Sequence, residues 1–269
     1  MSAFSALGDG AVVAKRNLIK IKRVPDLLVF TTLQPIMFVL LFAFVFGGSI
    51  QVPGVNYREF LMAGIFAQTV VFGATLTGTG LADDMHKGII DRFRSLPMSR
   101  SAVLVGRTFS DVLNNVIVIV VMSLTGLVVG WRIHTSVPEA LGGFALLLLF
   151  SYAFSWVMAF VGLLVPTVEV VNNAAFIVLF PLTFAASTFV PLESLPSVLQ
   201  RFAEWNPVTT LSEACRALFG NVPSDPSLRN TSEAWSIQHP ALYTMLWAVA
   251  ILAVFVPLAT RQYLRAASR

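Results

Sequence analysis

Apolar residues in this chain come in six runs, each about 20 residues long and nearly free of charge: roughly 27–48, 59–80, 110–130, 141–165, 170–190 and 241–260. A hydrocarbon core ~30 Å thick needs roughly 20 helical residues to cross it. A helix also satisfies its own backbone polar groups there, so the pattern predicts six membrane-spanning helices. Three intervening stretches carry a different signal. Before the first run, AVVAKRNLIKIKRVPDLL sets Val13, Leu18, Ile21 and Val24 among Lys15, Arg16, Lys20, Lys22 and Arg23. This suits a helix lying in the membrane interface with its cations in the headgroups, and equally a plain basic flank.

After the second run, Leu81, Met85, Ile89 and Phe93 fall at four-residue steps, while Asp84, Lys87, Asp91, Arg92 and Arg94 cover other faces. The spacing predicts an amphipathic helix from Leu81 to Arg94. It fits either a solvated basic loop or a helix that docks on a cytoplasmic partner or lies under the bilayer, and the maintained apolar stripe favours the helix. Leu96 precedes Pro97, which turns the chain out of helix, and Ser99 is placed to cap the next one. Between the fifth and sixth runs lie about 50 residues, too many for a turn. There, Leu195, Val198, Leu199, Phe202 and Trp205, then Leu211, Ala214, Cys215 and Leu218, recur at helical spacing. With Pro196 and Pro207 near the starts and Gly220 at the end, they predict two short amphipathic helices.

Composition agrees with the bilayer as solvent. Of 269 residues, 56% are hydrophobic and 12% charged, and the mean hydropathy is +0.78. A soluble domain of this size cannot hide that much apolar surface. The expected fold class is an all-α integral membrane protein in one domain, 1–269. The net charge of +4 sits beside apolar runs, where it sets topology and meets anionic headgroups rather than nucleic acid. With the N-terminus inside, the cytoplasmic side holds Lys15, Arg16, Lys20, Lys22, Arg23, Lys87, Arg92, Arg94, Arg100, Arg107, Arg261, Arg265 and Arg269, 13 of the 18 cations. Arg58, Arg132, Arg201, Arg216 and Arg229 fall on the other side. Both termini are therefore expected in the cytoplasm, with no cleavable signal. The lone Cys215 reads as a small buried residue.

Catalytic chemistry is not apparent. There is no Gly-x-x-x-x-Gly-Lys-Ser/Thr loop to cradle a nucleotide. His86, His134 and His239 fall in different loops and read as surface residues. Arg107 and Asp111, four apart, are expected to pair near the membrane surface. The spans hold few polar residues: Gln34 beside Pro35; Gln68, Thr69 and Thr75; Asn114 and Asn115; and Glu169, Asn172 and Asn173 with Pro181 further on. Such groups act as interhelical glue or touch a substrate. Gln34, Gln68, Phe176, Phe180 and Phe184 are the candidates for lining a cavity between two copies of the chain. Gly126 and Gly130 form a small-x-x-x-small pair for helix packing.

Two stretches, GIIDRFRSLPMSRSAVLVGRTFSDVL and FPLTFAASTFVPLESLPSVLQRFAEWNPVTTLSEACRALFG, together resemble the ABC-2 type membrane permease family, in its daunorubicin-resistance-like branch. The resemblance covers nearly the whole chain. It implies a type V exporter-like permease of the bacterial plasma (inner) membrane, working as two six-span subunits with two ATP-binding cassette ATPase subunits. ATP and Mg²⁺ would be bound by the ATPases, with no cofactor in this chain. By the same resemblance 14–24 is a connecting helix, 83–96 the coupling segment that meets the ATPase, and 195–219 the short helices on the exit side. The implied activity is export of an amphipathic or hydrophobic compound, a drug or a lipid. Export of a polysaccharide or a lipid-linked glycan is the alternative within the family. A stand-alone transporter or channel would need ionisable residues in the spans, and a membrane enzyme would need clustered acids, bases or metal ligands.

Overall fold

A computed structural model describes residues 25–266 apart from 51, 90–101, 166, 226–227 and 229–231. All regular structure among the described residues is helical. The helices are α1 (Pro25–Leu40), extended by a π-helical turn (Leu41–Phe46), α2 (Tyr57–Gly73), α3 (Thr75–His86), α4 (Ala102–Val129) and α5 (Val137–Leu164). After α6 (Val168–Phe184) come a short 3-10 turn (Leu192–Ser194), α7 (Ser197–Glu204), α8 (Pro207–Phe219), α9 (Trp235–Gln238) and α10 (Pro240–Ala266). Among the described residues four helices are long and apolar enough to cross a membrane: Tyr57–His86, Val103–Val129, Val137–Leu164 and Pro240–Arg265. Thr32–Phe46 and Val168–Phe184 are shorter apolar helices at the first and fifth expected positions.

Local chemistry explains the ends. Asn56 caps α2 by accepting the Arg58 N–H at 3.0 Å, and the Glu139 carboxylate caps α5 by accepting from the Ser136 N–H at 2.9 Å and its hydroxyl at 2.7 Å. Pro207 opens α8 behind the Asn206 cap, and Gly220 closes it at φ 73, a left-handed position suited to glycine. The two short helices after the fifth run thus form where the spacing predicts them. They differ in environment: α8 is buried almost throughout, whereas Val198, Leu199 and Phe202 of α7 are exposed.

Two expectations need correction. The stripe from Leu81 does not run on as one amphipathic helix of its own: Leu81 and Met85 lie on a helix that ends at His86, and residues 90–94 lie outside the described ones. That helix is the continuation of the second span, which breaks once at Ala74, with Gly88 left-handed at φ 64. A four-residue apolar period is shared by a surface helix and by the buried end of a span, so spacing alone does not separate them. The helix of the third span, described from Ala102, runs in ahead of the apolar run as the cap at Ser99 predicts, and Arg107 and Asp111 pair on it at 3.6 Å as expected. Gly130 is not a packing residue: it turns the chain after α4 at φ 104, whereas Gly126 does pack, its place for a Cβ lying 2.7 Å from Met62 Cε.

The second span is the centre of the bundle, with every side chain from Phe60 to Val71 buried. Around it lie α1, α4, α5, α6 and α8, while α10 runs along the outside of α5. One large core fills most of the bundle. A smaller one, around Leu81, Leu104, Trp156, Leu163 and Tyr263, fills the end opposite α8.

Candidate functional site

The polar residues of the first three expected spans meet. Gln34 and Pro35 of α1, Gln68 and Thr69 of α2, Thr75 at the head of α3, and Asn114 and Asn115 of α4 line one cavity of about 160 Å³, with Phe38, Phe72 and Val118 completing its apolar wall. The break at Ala74 places Phe72, Gly73, Thr75 and Leu76 on this cavity, and the Thr75 hydroxyl donates to the Phe72 carbonyl at 2.7 Å, holding the broken turn. Gln68, Asn114 and Asn115 are buried, while Gln34 is exposed. Part of the set is glue: Asn115 donates to Ser151 Oγ at 2.7 Å, tying α4 to α5. Among the described residues the cavity lining carries no charged side chain. Its amides and hydroxyls fit a neutral hydrogen-bonding group attached to an apolar body.

Phe176, Phe180 and Phe184 do not line this cavity. They stack along α6, with centroids 5.0 Å and then 4.1 Å apart. The stack continues to Phe189 at 5.1 Å and across to Phe42 at 4.3 Å. Phe38 joins the two features, lining the cavity and meeting Phe184 edge-on at 6.4 Å. Glu169, Asn172 and Asn173 lie exposed at the other end of α6.

Of the residues assigned to coupling, Asp84 is buried and Met85, partly buried, packs on the smaller core. Lys87 is exposed and pairs with Asp83 at 2.8 Å, an interaction worth less than about 1 kcal/mol at a surface. Ile89 is half-buried just beyond Gly88. Asp91, Arg92, Phe93 and Arg94, like Lys15, Arg16, Lys20, Lys22 and Arg23, lie outside the described residues.

Sequence reasoning missed the most heavily bonded side chain at the opposite end. Arg216, counted as a loop cation, is 1% exposed. It pairs with Glu213 at 2.7 Å, donates through Nε to the Phe60 carbonyl at 3.1 Å and through Nη1 to Ser187 Oγ at 2.9 Å, and lies 3.5 Å above the Phe60 ring. Burial pushes its affinity for the proton down and the Glu213 carboxylate pushes it back up. The available signal was Glu213 at i−3 on a helix otherwise lined by Leu211, Ala214 and Cys215. Beside this pair a second cavity of about 730 Å³ opens between α8, the Leu192 turn and the 52–55 loop. Cys215 is buried as expected, its thiol pushed up to about 12 by burial.

The cavity thus lies at a helix break inside an apolar bundle, and comparison with known proteins gives the family. Residues 11–219 match the ABC-2 type transporter family. The chain belongs to that family. It is 31% identical over 248 residues, 92% of this chain and 83% of the relative, to the daunorubicin resistance ABC transporter permease protein DrrB1 of Streptomyces coeruleorubidus. It is similar also to the putative transport permease ycf38 of Cyanophora paradoxa, 27% identical over 82% of this chain and 77% of the relative. A third relative is the probable doxorubicin resistance ABC transporter permease protein DrrC of Mycobacterium tuberculosis, 26% identical over 71% of this chain and 66% of the relative. This ABC-2 permease is therefore a multi-pass membrane protein of the transport-subunit kind.

Proposed function

We propose that this chain is the permease subunit of an ATP-driven exporter that moves an amphipathic or hydrophobic compound out of the cytoplasm or inner leaflet. The observation that carries the reading is the convergence of Gln34, Gln68, Thr75 and Asn114 on one uncharged cavity, in a chain related to drug-resistance permeases. Pockets for drug-sized ligands run to roughly 300–1,000 Å³, and this one holds about 160 Å³. A second copy of the chain facing it, with the exposed Phe176 and Phe180 on its border, supplies the remaining volume.

In this reading the first and fifth apolar helices also span, giving six spans with both termini cytoplasmic in the plasma membrane. The α8 end then lies outside, and its 730 Å³ cavity lies on the exit route. The basic segment 15–23 lies against anionic lipid. Two ATPase subunits, which bind ATP and Mg²⁺, dock at Lys87, Ile89, Asp91, Arg92, Phe93 and Arg94. This chain performs no hydrolysis. On ATP binding, force on that segment passes along α3 to the Thr75–Leu76 wall and reshapes the cavity.

The test is ATP-dependent doxorubicin uptake into inverted membrane vesicles. Gln68→Leu and Asn114→Leu remove cavity hydrogen bonds, each worth about 0.5–1.5 kcal/mol. Uptake is expected to fall roughly three- to tenfold, at unchanged abundance. A panel at Gln34, Gln68, Thr75 and Asn114 that leaves transport at the parent level contradicts the assignment.

A further inference from the structure

Arg107 is a cation held inside the bundle, with its side chain 14% exposed and that of its partner Asp111 7%. A buried charge is costly to keep unless it is paired and hydrogen-bonded. Arg107 reaches from α4 to the first turn of α3, donating to the Leu76 carbonyl at 2.8 Å, while Thr77 of the same turn donates its hydroxyl to Asp111. Gly80, one turn further on, leaves room for the guanidinium: a Cβ there would sit 1.8 Å from it. Both bonds fall immediately after the break at Ala74. They hold the segment that carries two cavity residues, Thr75 and Leu76, and that runs on to His86. Arg107 itself does not line the cavity. Its Nε is buried without a hydrogen-bond acceptor, 3.6 Å from Asp111, so the pair is less than fully closed in this arrangement.

We propose that Arg107, braced by Asp111, is a positioning residue: it fixes the head of α3 against α4 and thereby sets where the Thr75–Leu76 wall of the cavity stands. Only its consequence for transport rests on the exporter reading; the local claim does not.

The test uses the full chain with Cys215→Ala and one added thiol, either Thr75→Cys below the break or Gln68→Cys above it, alkylated with N-ethylmaleimide in native membranes. Arg107→Met keeps the side-chain stem and removes charge and donors. It is expected to change the alkylation rate at position 75 by about fivefold or more while leaving position 68 within about twofold, and Arg107→Lys is expected to restore the parent rate. Asp111→Asn, which keeps the guanidinium, is expected to shift position 75 in the same direction. An unchanged rate at position 75, or equal shifts at both positions, overturns the proposal. In the complex with its ATPase, Arg107→Met is expected to raise the ATP hydrolysed per doxorubicin moved by about fivefold. A parent complex that moves no doxorubicin counts against the exporter reading alone and leaves the alkylation comparison to decide the positioning role.

Discussion

Replacing Arg216 with methionine is expected to cost about 3–5 kcal/mol of stability, the penalty for breaking a buried ion pair from one side. The reason lies in what the guanidinium leaves behind. Glu213, its side chain 17% exposed, loses its cation, and the Phe60, Ser187 and Thr188 carbonyls lose a shared donor inside the fold. Those carbonyls belong to α2 and to the turn after α6, so one side chain ties α8 to both. The cation over the Phe60 ring adds up to about 2 kcal/mol where water is excluded. Glu213→Gln keeps an acceptor for Ser187 and is expected to cost less. Because an apolar pair can replace a buried ion pair at little cost, Arg216→Met with Glu213→Leu should recover part of the loss. Detergent-solubilised protein followed by thermal unfolding gives the order Arg216→Met below Glu213→Gln below parent. Equal midpoints for parent and Arg216→Met would show that the interaction contributes nothing.

The second large effect is expected at the crossing of α3 and α5. A Cβ on Gly162 would lie 2.3 Å from the Gly78 carbonyl oxygen and 2.7 Å from its Cα, and a Cβ on Gly78 would lie 2.7 Å from the Met158 oxygen. These obstacles are backbone, with no flexible side chain to move aside, so the helices must separate. Small residues permit such contact in membrane bundles, where close van der Waals packing drives association. Gly162→Ala is expected to lose about 1–3 kcal/mol, as overpacking usually does, and Gly162→Leu should fail to accumulate folded protein. Gly142→Ala, on the same helix with its nearest neighbour 3.9 Å away, is the matched control and should be near neutral. Fluorescence-detected size exclusion of the three variants reads this directly, and a monodisperse Gly162→Leu at parent yield would refute the contact. Since α3 also carries Thr75 and Leu76, a milder variant that still folds should alter the cavity as well.

How much of this was legible depends on what each residue's neighbours reveal. The long spans are readable because roughly 20 uncharged apolar residues in a row have few other uses. The short helices α7 and α8 are readable because proline and glycine mark their ends. The cavity is legible in parts: Gln34, Gln68, Thr75 and Asn114 stand out against apolar neighbours, but only tertiary structure brings them together. Phe176, Phe180 and Phe184 carry no comparable signal in a chain with 22 phenylalanines, and their stack along α6 is visible only in the structure. Arg216 was hidden because a count of cations by side treats a buried guanidinium like a solvated one. The Gly78–Gly162 crossing was hidden because the two glycines are far apart in sequence and nothing in either helix marks which of its glycines meets a neighbour. The end of α3 turned on Gly88, whose left-handed turn interrupts a stripe that otherwise reads as continuous.

The central claim is that this permease works with a separate ATPase. The direct measurement is gentle detergent purification of the tagged chain from its own membranes, with mass spectrometry of what accompanies it, beside a variant carrying Ile89→Asp and Phe93→Asp. An ATP-binding cassette ATPase recovered with the parent and lost from a folded variant is the expected result. An intact, folded parent that repeatedly comes away with no ATPase would contradict the account.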